Sequence, residues 1–214
     1  MPVSFATFRP LIAVTLLLTQ ASGCASAPAR PLTPAQMVAR DGGIPPYTKA
    51  DVAFMQGMIG HHAQAVTMAG YAEPNGASSE VRVLAGRIAV AQTDEIDFMV
   101  NWLQVRKQEV PAADAMAHMH HAGMEMGGGG MMPGMLSTAQ MDTLAKAKGE
   151  AFDWYFLTYM IQHHRGAISM VDDLVAARFA ANDDNIFKFV SDVVADQTTE
   201  IARMELLLRT RRKP

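Results

Sequence analysis

Two stretches decide the fold: MIGHHAQAVTM at residues 58–68 and MIQHHRGAISM at residues 160–170. Each places two adjacent histidines in an apolar run between methionines. Residues three, four or seven positions apart lie on one face of an α-helix, so Met58, His61 and Met68 share a stripe. The same arrangement returns about a hundred residues later, which predicts a duplicated helix with a functional face.

The repeat extends from these helices to whole helical hairpins. The first stretch matches the second at a constant offset of 102, and the block at Gln92–Ile96 matches the block at Gln197–Ile201 at an offset of 105. A hairpin with one apolar face cannot bury it alone, so two copies predict an all-α four-helix bundle with approximate two-fold symmetry. The apolar spacing predicts helices from Thr48 to about Glu73, from about Ser79 to Arg106, from about Ser137 to Arg178 with an interruption at Gly149, and from Asp184 to Arg211.

The N-terminal part has the pattern of an export and tethering segment. Arg9 precedes the apolar stretch Leu11–Leu18, which is shorter than the roughly 20 residues that span a bilayer, so residues 1–23 are predicted to be a signal peptide. The tail Ala-Ser-Gly-Cys resembles the lipobox of bacterial lipoproteins, which implies that Cys24 is acylated and becomes the mature N-terminus. An ordinary cleavage site in a soluble secreted protein is the alternative.

Residues 24–46 are rich in Ala, Pro and Gly and predict a flexible tether between the lipid and the domain. The expected location is therefore the periplasmic side of the cell envelope, with a lipid anchor at the outer membrane. The net charge of -3 offers no basic face for phosphates, so nucleic acid is not an expected partner. Cys24 is the only cysteine, which excludes an internal disulfide.

The domain is predicted to span residues 47–214, with halves at 48–106 and 137–211 joined by a loop at 107–136. The loop contains MAHMHHAGMEMGGGGMMPGM, residues 116–135, in which four consecutive glycines and a proline predict a long mobile connection without stable secondary structure. Methionines in such a segment cannot all be packing residues, which favours a metal-capture segment. Compositional drift in an exposed linker is the alternative.

The histidines and methionines together predict a copper site. All seven histidines fall into three groups interleaved with methionine, and the chain has 17 methionines. Thioethers and imidazoles suit Cu(I), with Ag(I) as a chemical mimic, whereas Zn(II), Mn(II) and Mg(II) have little use for thioethers. The candidate ligands are His61, His62, His163, His164, Met58, Met68, Met160, Met170, Met99, Met204, His118, His120 and His121.

Several of these residues have a second interpretation. A methionine stripe at helical spacing also suits a packed core. Glu95 and Glu200 either orient imidazoles or solvate a helix face, while Asp51 and Asp153 are expected to be carboxylates near helix N-termini. Because unperturbed histidine titrates near pH 6.5, histidine-dependent binding is expected to weaken on acidification.

The paired blocks carry a family resemblance. MIGHHAQAVTM with QTDEIDFMVNWL, and FDWYFLTYMIQHHRGAISM with QTTEIARMELLL, resemble the two halves of the DUF305 family over residues 48 to 209. The resemblance implies a ferritin-like four-helix bundle, export from the cytoplasm and copper binding, as in the family's copper-binding members of the CopM type.

The predicted function is a lipid-anchored protein that sequesters Cu(I), or transfers it to a partner protein, in copper homeostasis. Two alternatives stay open: a ferritin-like metal-dependent redox enzyme and a structural envelope lipoprotein. Di-iron bundles use Glu-x-x-His motifs, but the residues three before His61 and His163 are Met58 and Met160. A binding protein is therefore favoured over an enzyme.

Overall fold

The computed structural model describes residues 47–112 and 131–214, together with residue 1. The predictions on the signal peptide, the tether, Cys24 and the loop histidines His118, His120 and His121 lie outside the described residues. Within these ranges the chain forms five helices and no strand, which confirms the all-α prediction. The helices are α1 (Lys49–Gly70), α2 (Ser79–Val105), α3 (Thr138–Lys146), α4 (Gly149–Ala176) and α5 (Asp184–Leu208). None of these five is both long and apolar enough to cross a membrane.

Four long helices form the predicted bundle of two hairpins. Helix α1 packs on α2, α4 packs on α5, and the hairpins meet along α1 and α4, while the short α3 lies against α4. Because α1 and α4 are the repeated helices, the two histidine pairs of the repeat are brought to the central interface.

Two aspartates connect the hairpins through hydrogen bonds. Asp51 closes a capping box with Thr48 at the start of α1, and its Oδ1 accepts a hydrogen bond from the backbone of Ala181 at 2.8 Å. Its counterpart Asp153 accepts a bond from the backbone of Ser78 at 3.0 Å. Each carboxylate near the start of one hairpin thus binds the turn of the other, a structural role that agrees with their assignment as helix carboxylates rather than ligands.

The third predicted helix is two helices in the structure. Helix α3 ends at Lys146, and Ala147 and Lys148 are extended before α4 begins. Gly149 has a φ of +56°, which glycine adopts without steric cost, and its N–H donates to the carbonyl of Asn75 at 2.9 Å. The expected interruption at Gly149 is therefore a full break that the first hairpin's turn stabilises.

The core consists of two apolar clusters with a polar layer between them. One contains Phe54, Met58 and Met99, and the other contains their repeat counterparts Phe156, Met160 and Met204. Along each long helix, the buried polar side chains other than Asp51 and Asp153 stand between members of one cluster and members of the other. The layer comprises His61, His62, Gln64, Gln92, His163, His164 and Gln197. Burial of this many polar groups at the centre of a bundle indicates a site rather than a simple core.

The end of the connecting loop is ordered, contrary to the prediction of a mobile segment up to residue 135. Residues 132–135, Met-Pro-Gly-Met, form a tight turn in which the N–H of Met135 donates to the carbonyl of Met132 at 3.2 Å. Proline followed by a glycine at positive φ, here +76° at Gly134, is typical of a type II turn. Met135 is only 2% exposed. We call residues 132–135 the MPGM turn.

Candidate metal centre

His61 of α1 and His163 of α4 lie face to face at the middle of the bundle. Their ring centroids are 3.9 Å apart, with an angle of 40° between the rings, and neither side chain has exposed surface. The repeat predicts that both histidines occupy equivalent positions, and the structure brings these two equivalents into contact.

His61 is neutral and presents a free nitrogen. Its Nε2 lies 3.0 Å from the carbonyl oxygen of Pro133 in the MPGM turn. A carbonyl only accepts hydrogen bonds, so Nε2 carries the proton and Nδ1 keeps its lone pair. That Nδ1 is buried and has no partner. Burial, helped by repulsion from His62, lowers the pKa of His61 to about 3.

Neither ring nitrogen of His163 makes a well-formed hydrogen bond to a described residue, although the backbone of His61 lies near enough to raise its pKa slightly against the effect of burial. Burial holds its pKa well below the ordinary value, and repulsion from His61 acts in the same direction. An unpartnered buried polar group costs about 1–3 kcal/mol. The ring of His163 therefore lowers the stability of the metal-free fold. The expectation that binding weakens on acidification used the unperturbed pKa of histidine, and burial places the pKa of His61 and of His163 below that value.

The neighbouring histidines are each held by a glutamate. His62 Nε2 lies 2.6 Å from Glu95 Oε2, and His164 Nε2 lies 2.6 Å from Glu200 Oε2. Both histidines are buried and both Nδ1 atoms lack a partner. Metal-binding histidines almost always donate their other N–H to a carboxylate or backbone carbonyl. Of the two interpretations left open for the glutamates, the structure favours the orientation of imidazoles.

Ring contacts connect the four histidines in the order His62, His61, His163, His164, and we call these four the histidine row. The ring centroids of His61 and His62 are 6.3 Å apart, as are those of His163 and His164. Across residues 47–112 and 131–214, no three side chains of His, Cys, Asp or Glu converge closely enough to hold one ion. The arrangement therefore differs from a carboxylate-rich di-iron site, and thioethers and backbone carbonyls are candidate further donors to an ion between His61 and His163.

The six helix methionines are divided between the two apolar clusters. Met58 and Met99 lie in one apolar cluster, with Met170 packed at its edge, whereas Met68, Met160 and Met204 lie in the other. Five of the six are fully buried, as the core interpretation expects. Met58 and Met160 are nearest in sequence to the central pair, one helical turn before His61 and His163.

Two features of the site could not be assigned from the repeat. The first is the carbonyl of Pro133, and the second is Gly166 of α4, which makes room for it. A Cβ at Gly166 would lie 2.1 Å from that carbonyl oxygen and 2.4 Å from the Cα of Gly134. The repeat places Gln64 at the position equivalent to Gly166, and Gln64 instead holds the backbone of Leu136 by bonds of 2.7 and 3.1 Å. This departure from the repeat, with the Pro-Gly dipeptide, is the sequence signal for the docked turn.

Comparison with known proteins places this geometry among proteins of one family. The family model described as Domain of unknown function (DUF305) matches residues 51–208. No curated protein sequence matches the chain significantly.

Solved structures with the same fold include two further DUF305 proteins. A candidate secreted protein from Streptomyces coelicolor has 29% identity and a TM-score of 0.63, and the match covers 77% of this chain and 96% of that chain. A DUF305 fragment from Deinococcus radiodurans has 30% identity and a TM-score of 0.60, with coverage of 77% and 98%.

A third similar structure is CopM in its Cu(II)-bound form, with 31% identity, a TM-score of 0.59, and coverage of 74% of this chain and 95% of that chain. CopM has also been solved in Cu(I)-bound and silver-bound forms, which match at 28% identity.

Proposed function

This chain belongs to the DUF305 family, and from that premise we propose that it is an exported copper-binding protein that sequesters Cu(I) or passes it on. The observation that carries the proposal is the row of four buried imidazoles, each with an Nδ1 atom that has no partner among residues 47–112 and 131–214. Buried polar atoms ordinarily find a partner. Four such atoms in one layer are suited to a bound ion, which would supply the missing interaction.

Three of these imidazoles are already oriented for metal binding. His61 donates through Nε2 to a backbone carbonyl, while His62 and His164 meet carboxylates through Nε2. Their Nδ1 atoms remain available. Ligands held on packed helices lose little freedom on binding, so the bundle is expected to hold the tighter site and the connecting loop to act in capture.

The donor chemistry favours copper in its reduced form. The donors near the central pair are imidazoles and thioethers, a set that suits soft Cu(I) and its mimic Ag(I). CopM, similar over most of its length, was solved with Cu(I), Cu(II) and silver, which supports copper as the cargo. The proposed ligands are His61, His62, His163 and His164, with thioethers from Met58, Met68, Met99, Met160, Met170 and Met204 and capture by His118, His120 and His121.

We place the protein in the periplasm, anchored to the outer membrane by a lipid on Cys24. The lipobox-like tail before Cys24 supports the anchor, and the similarity to a candidate secreted protein supports export. A lipid-anchored binder would receive copper from the periplasm and either store it or hand it to a partner protein. The proposal is for a binding protein rather than an enzyme.

A competition titration against a chromophoric Cu(I) chelator tests the copper proposal. His163→Leu is the cleanest variant, because neither ring nitrogen of His163 makes a well-formed hydrogen bond to a described residue. It is expected to weaken the tightest Cu(I) binding at least about tenfold, by analogy with the loss of groups that support metal ligands. The far-ultraviolet circular dichroism spectrum shows whether the helices are retained.

The matched comparison removes the loop histidines His118, His120 and His121. That triple variant is expected to bind fewer ions while keeping the tightest affinity. If His163→Leu folds and keeps the tightest affinity, while the loop variant loses it, the bundle histidines are structural and the proposal is wrong.

A further inference from the structure

The side-chain ends of two methionines lie close to the buried Gly57 of α1. A Cβ built on Gly57 would lie 3.3 Å from the sulfur of Met132 and 3.7 Å from the terminal methyl of Met170. Both side-chain ends therefore adjoin the same point on α1. Met132 comes from the MPGM turn and Met170 from the last part of α4, so three segments contribute to this spot.

The spot has no counterpart in the other half of the repeat. The residue equivalent to Gly57 is Tyr159, and the residue equivalent to Met170 is Met68. Met68 is fully buried in an apolar cluster, whereas Met170 and Met132 are only half-buried. The adjacent Met131 is 53% exposed. Solvent therefore reaches the Met132–Met170 pair, although it does not reach the histidines.

The two methionines are close in sequence, or through the MPGM turn, to the central histidines. Gly57 is one helical turn before His61 on the same face of α1. Met170 is seven residues after His163, two turns along the same stripe of α4. Pro133, the residue after Met132, holds His61 through its carbonyl oxygen at 3.0 Å. The MPGM turn and helix α4 thus position both the two thioethers and the central imidazoles.

We propose that Met132 and Met170 form a thioether site that takes up a soft monovalent ion, Cu(I) or Ag(I), and passes it to the His61–His163 pair. The proposal deepens the proposed function and rests on it, because Met170 is also among the proposed Cu(I) ligands. Thioether sulfurs are neutral and release no proton on binding, and the ion keeps its oxidation state throughout. The transfer is an exchange of thioether ligands for imidazole ligands, with no electron moved.

Methionines also fill irregular gaps in cores, so the test must separate binding from packing. Leucine is close to methionine in volume and lacks the sulfur. The variants are Met132→Leu and Met170→Leu, with Met141→Leu as the matched control. Met141 is a half-buried methionine on α3 that belongs to no candidate site.

The experiment is a titration of the full chain, labelled with ¹³C in the methionine methyl groups, with silver nitrate below one equivalent. We expect the methyl resonances of Met132 and Met170 to shift together, while that of Met141 stays in place. In Met132→Leu the response of Met170 is expected to disappear, and in Met170→Leu that of Met132. Each loss shows that the two sulfurs share one ion. No response at Met170, or a response that is unchanged in Met132→Leu, overturns the proposed site.

The transfer step has its own measurement. Stopped-flow uptake of Cu(I) from a weak chelator is expected to be about tenfold slower in Met132→Leu than in Met141→Leu, by analogy with other supporting groups of metal sites, while the affinity of the tightest site is retained. An unchanged rate overturns transfer through the pair. If the histidines are not ligands, the silver response persists in His163→Leu while tight Cu(I) binding is unaffected there, so the two proposals fail separately.

Discussion

Two glycine-to-alanine substitutions within helices are predicted to change stability in opposite directions. Gly86 of α2 is exposed, and a Cβ there would meet nothing within 4 Å. Alanine is favoured over glycine in a helix interior by about 0.5–1 kcal/mol, so Gly86→Ala should raise the free energy of unfolding by that amount. At Gly166 of α4 the helix also favours alanine over glycine, but contacts with the MPGM turn are expected to make the substitution destabilising.

A methyl group at position 166 would lie 2.1 Å from the carbonyl oxygen of Pro133 and 2.4 Å from the Cα of Gly134. These are backbone atoms, so the MPGM turn must move as a unit, and the bond from His61 to Pro133 is lost with it. Overpacking costs about 1–3 kcal/mol, and the lost hydrogen bond costs about 1 kcal/mol. After the gain in helix propensity, Gly166→Ala should lower the free energy of unfolding by about 1–3 kcal/mol.

Urea unfolding of the metal-free proteins, followed by circular dichroism at neutral pH, measures both changes relative to the unsubstituted chain. The control variant Gly86→Ala confirms that the assay detects the helix preference alone. If Gly166→Ala is as stable as Gly86→Ala, the MPGM turn is not seated on α4, and the positioning of His61 by Pro133 would be refuted.

Three further predictions concern pH, the loop and the anchor. Because the folded-state pKa of His61 is about 3 against 6.5 for the free side chain, the unfolded chain binds more protons between these values. The metal-free fold should therefore lose about 2 kcal/mol from this group on acidification to about pH 5, with His163 acting in the same direction; urea midpoints that do not fall would contradict this. Deletion of residues 113–130, which leaves the MPGM turn intact, should lower the number of Cu(I) ions bound and spare the tightest site, whereas deletion through residue 135 should also weaken that site in a chelator competition. Cys24→Ser should move the protein from the membrane fraction to the soluble fraction, and unchanged fractionation would exclude the lipid anchor.

The repeat was sufficient to predict the bundle and the approximate start of each of its four long helices except α4. Period-3.6 spacing, the capping pair Thr48 and Asp51, and the turn before Ser79 are local signals, and the structure confirms them. The break between α3 and α4 was underestimated because it depends on a tertiary contact, the bond from Gly149 to Asn75. No local pattern encodes such a partner.

The site was predicted less completely for a similar reason. The equivalence of His61 and His163 follows from the repeat, but their contact at 3.9 Å and the resulting fall in the pKa of His61 depend on how α1 meets α4. The MPGM turn was assigned to a mobile loop because its composition resembles that of the glycine-rich run before it. Its docking depends on Gly166, about thirty residues later, whose role becomes visible only when the two helices are in place.

The central claim is that the His61–His163 pair binds Cu(I), and Cu K-edge X-ray absorption of protein loaded with less than one equivalent of Cu(I) tests it most directly. Imidazole ligands give outer-shell scattering from the ring atoms that thioethers cannot give. We predict that this scattering is present in the unsubstituted chain and is lost or strongly reduced in His61→Leu, His163→Leu protein. The same spectrum in both proteins, or sulfur scattering alone in the unsubstituted chain, would contradict the claim.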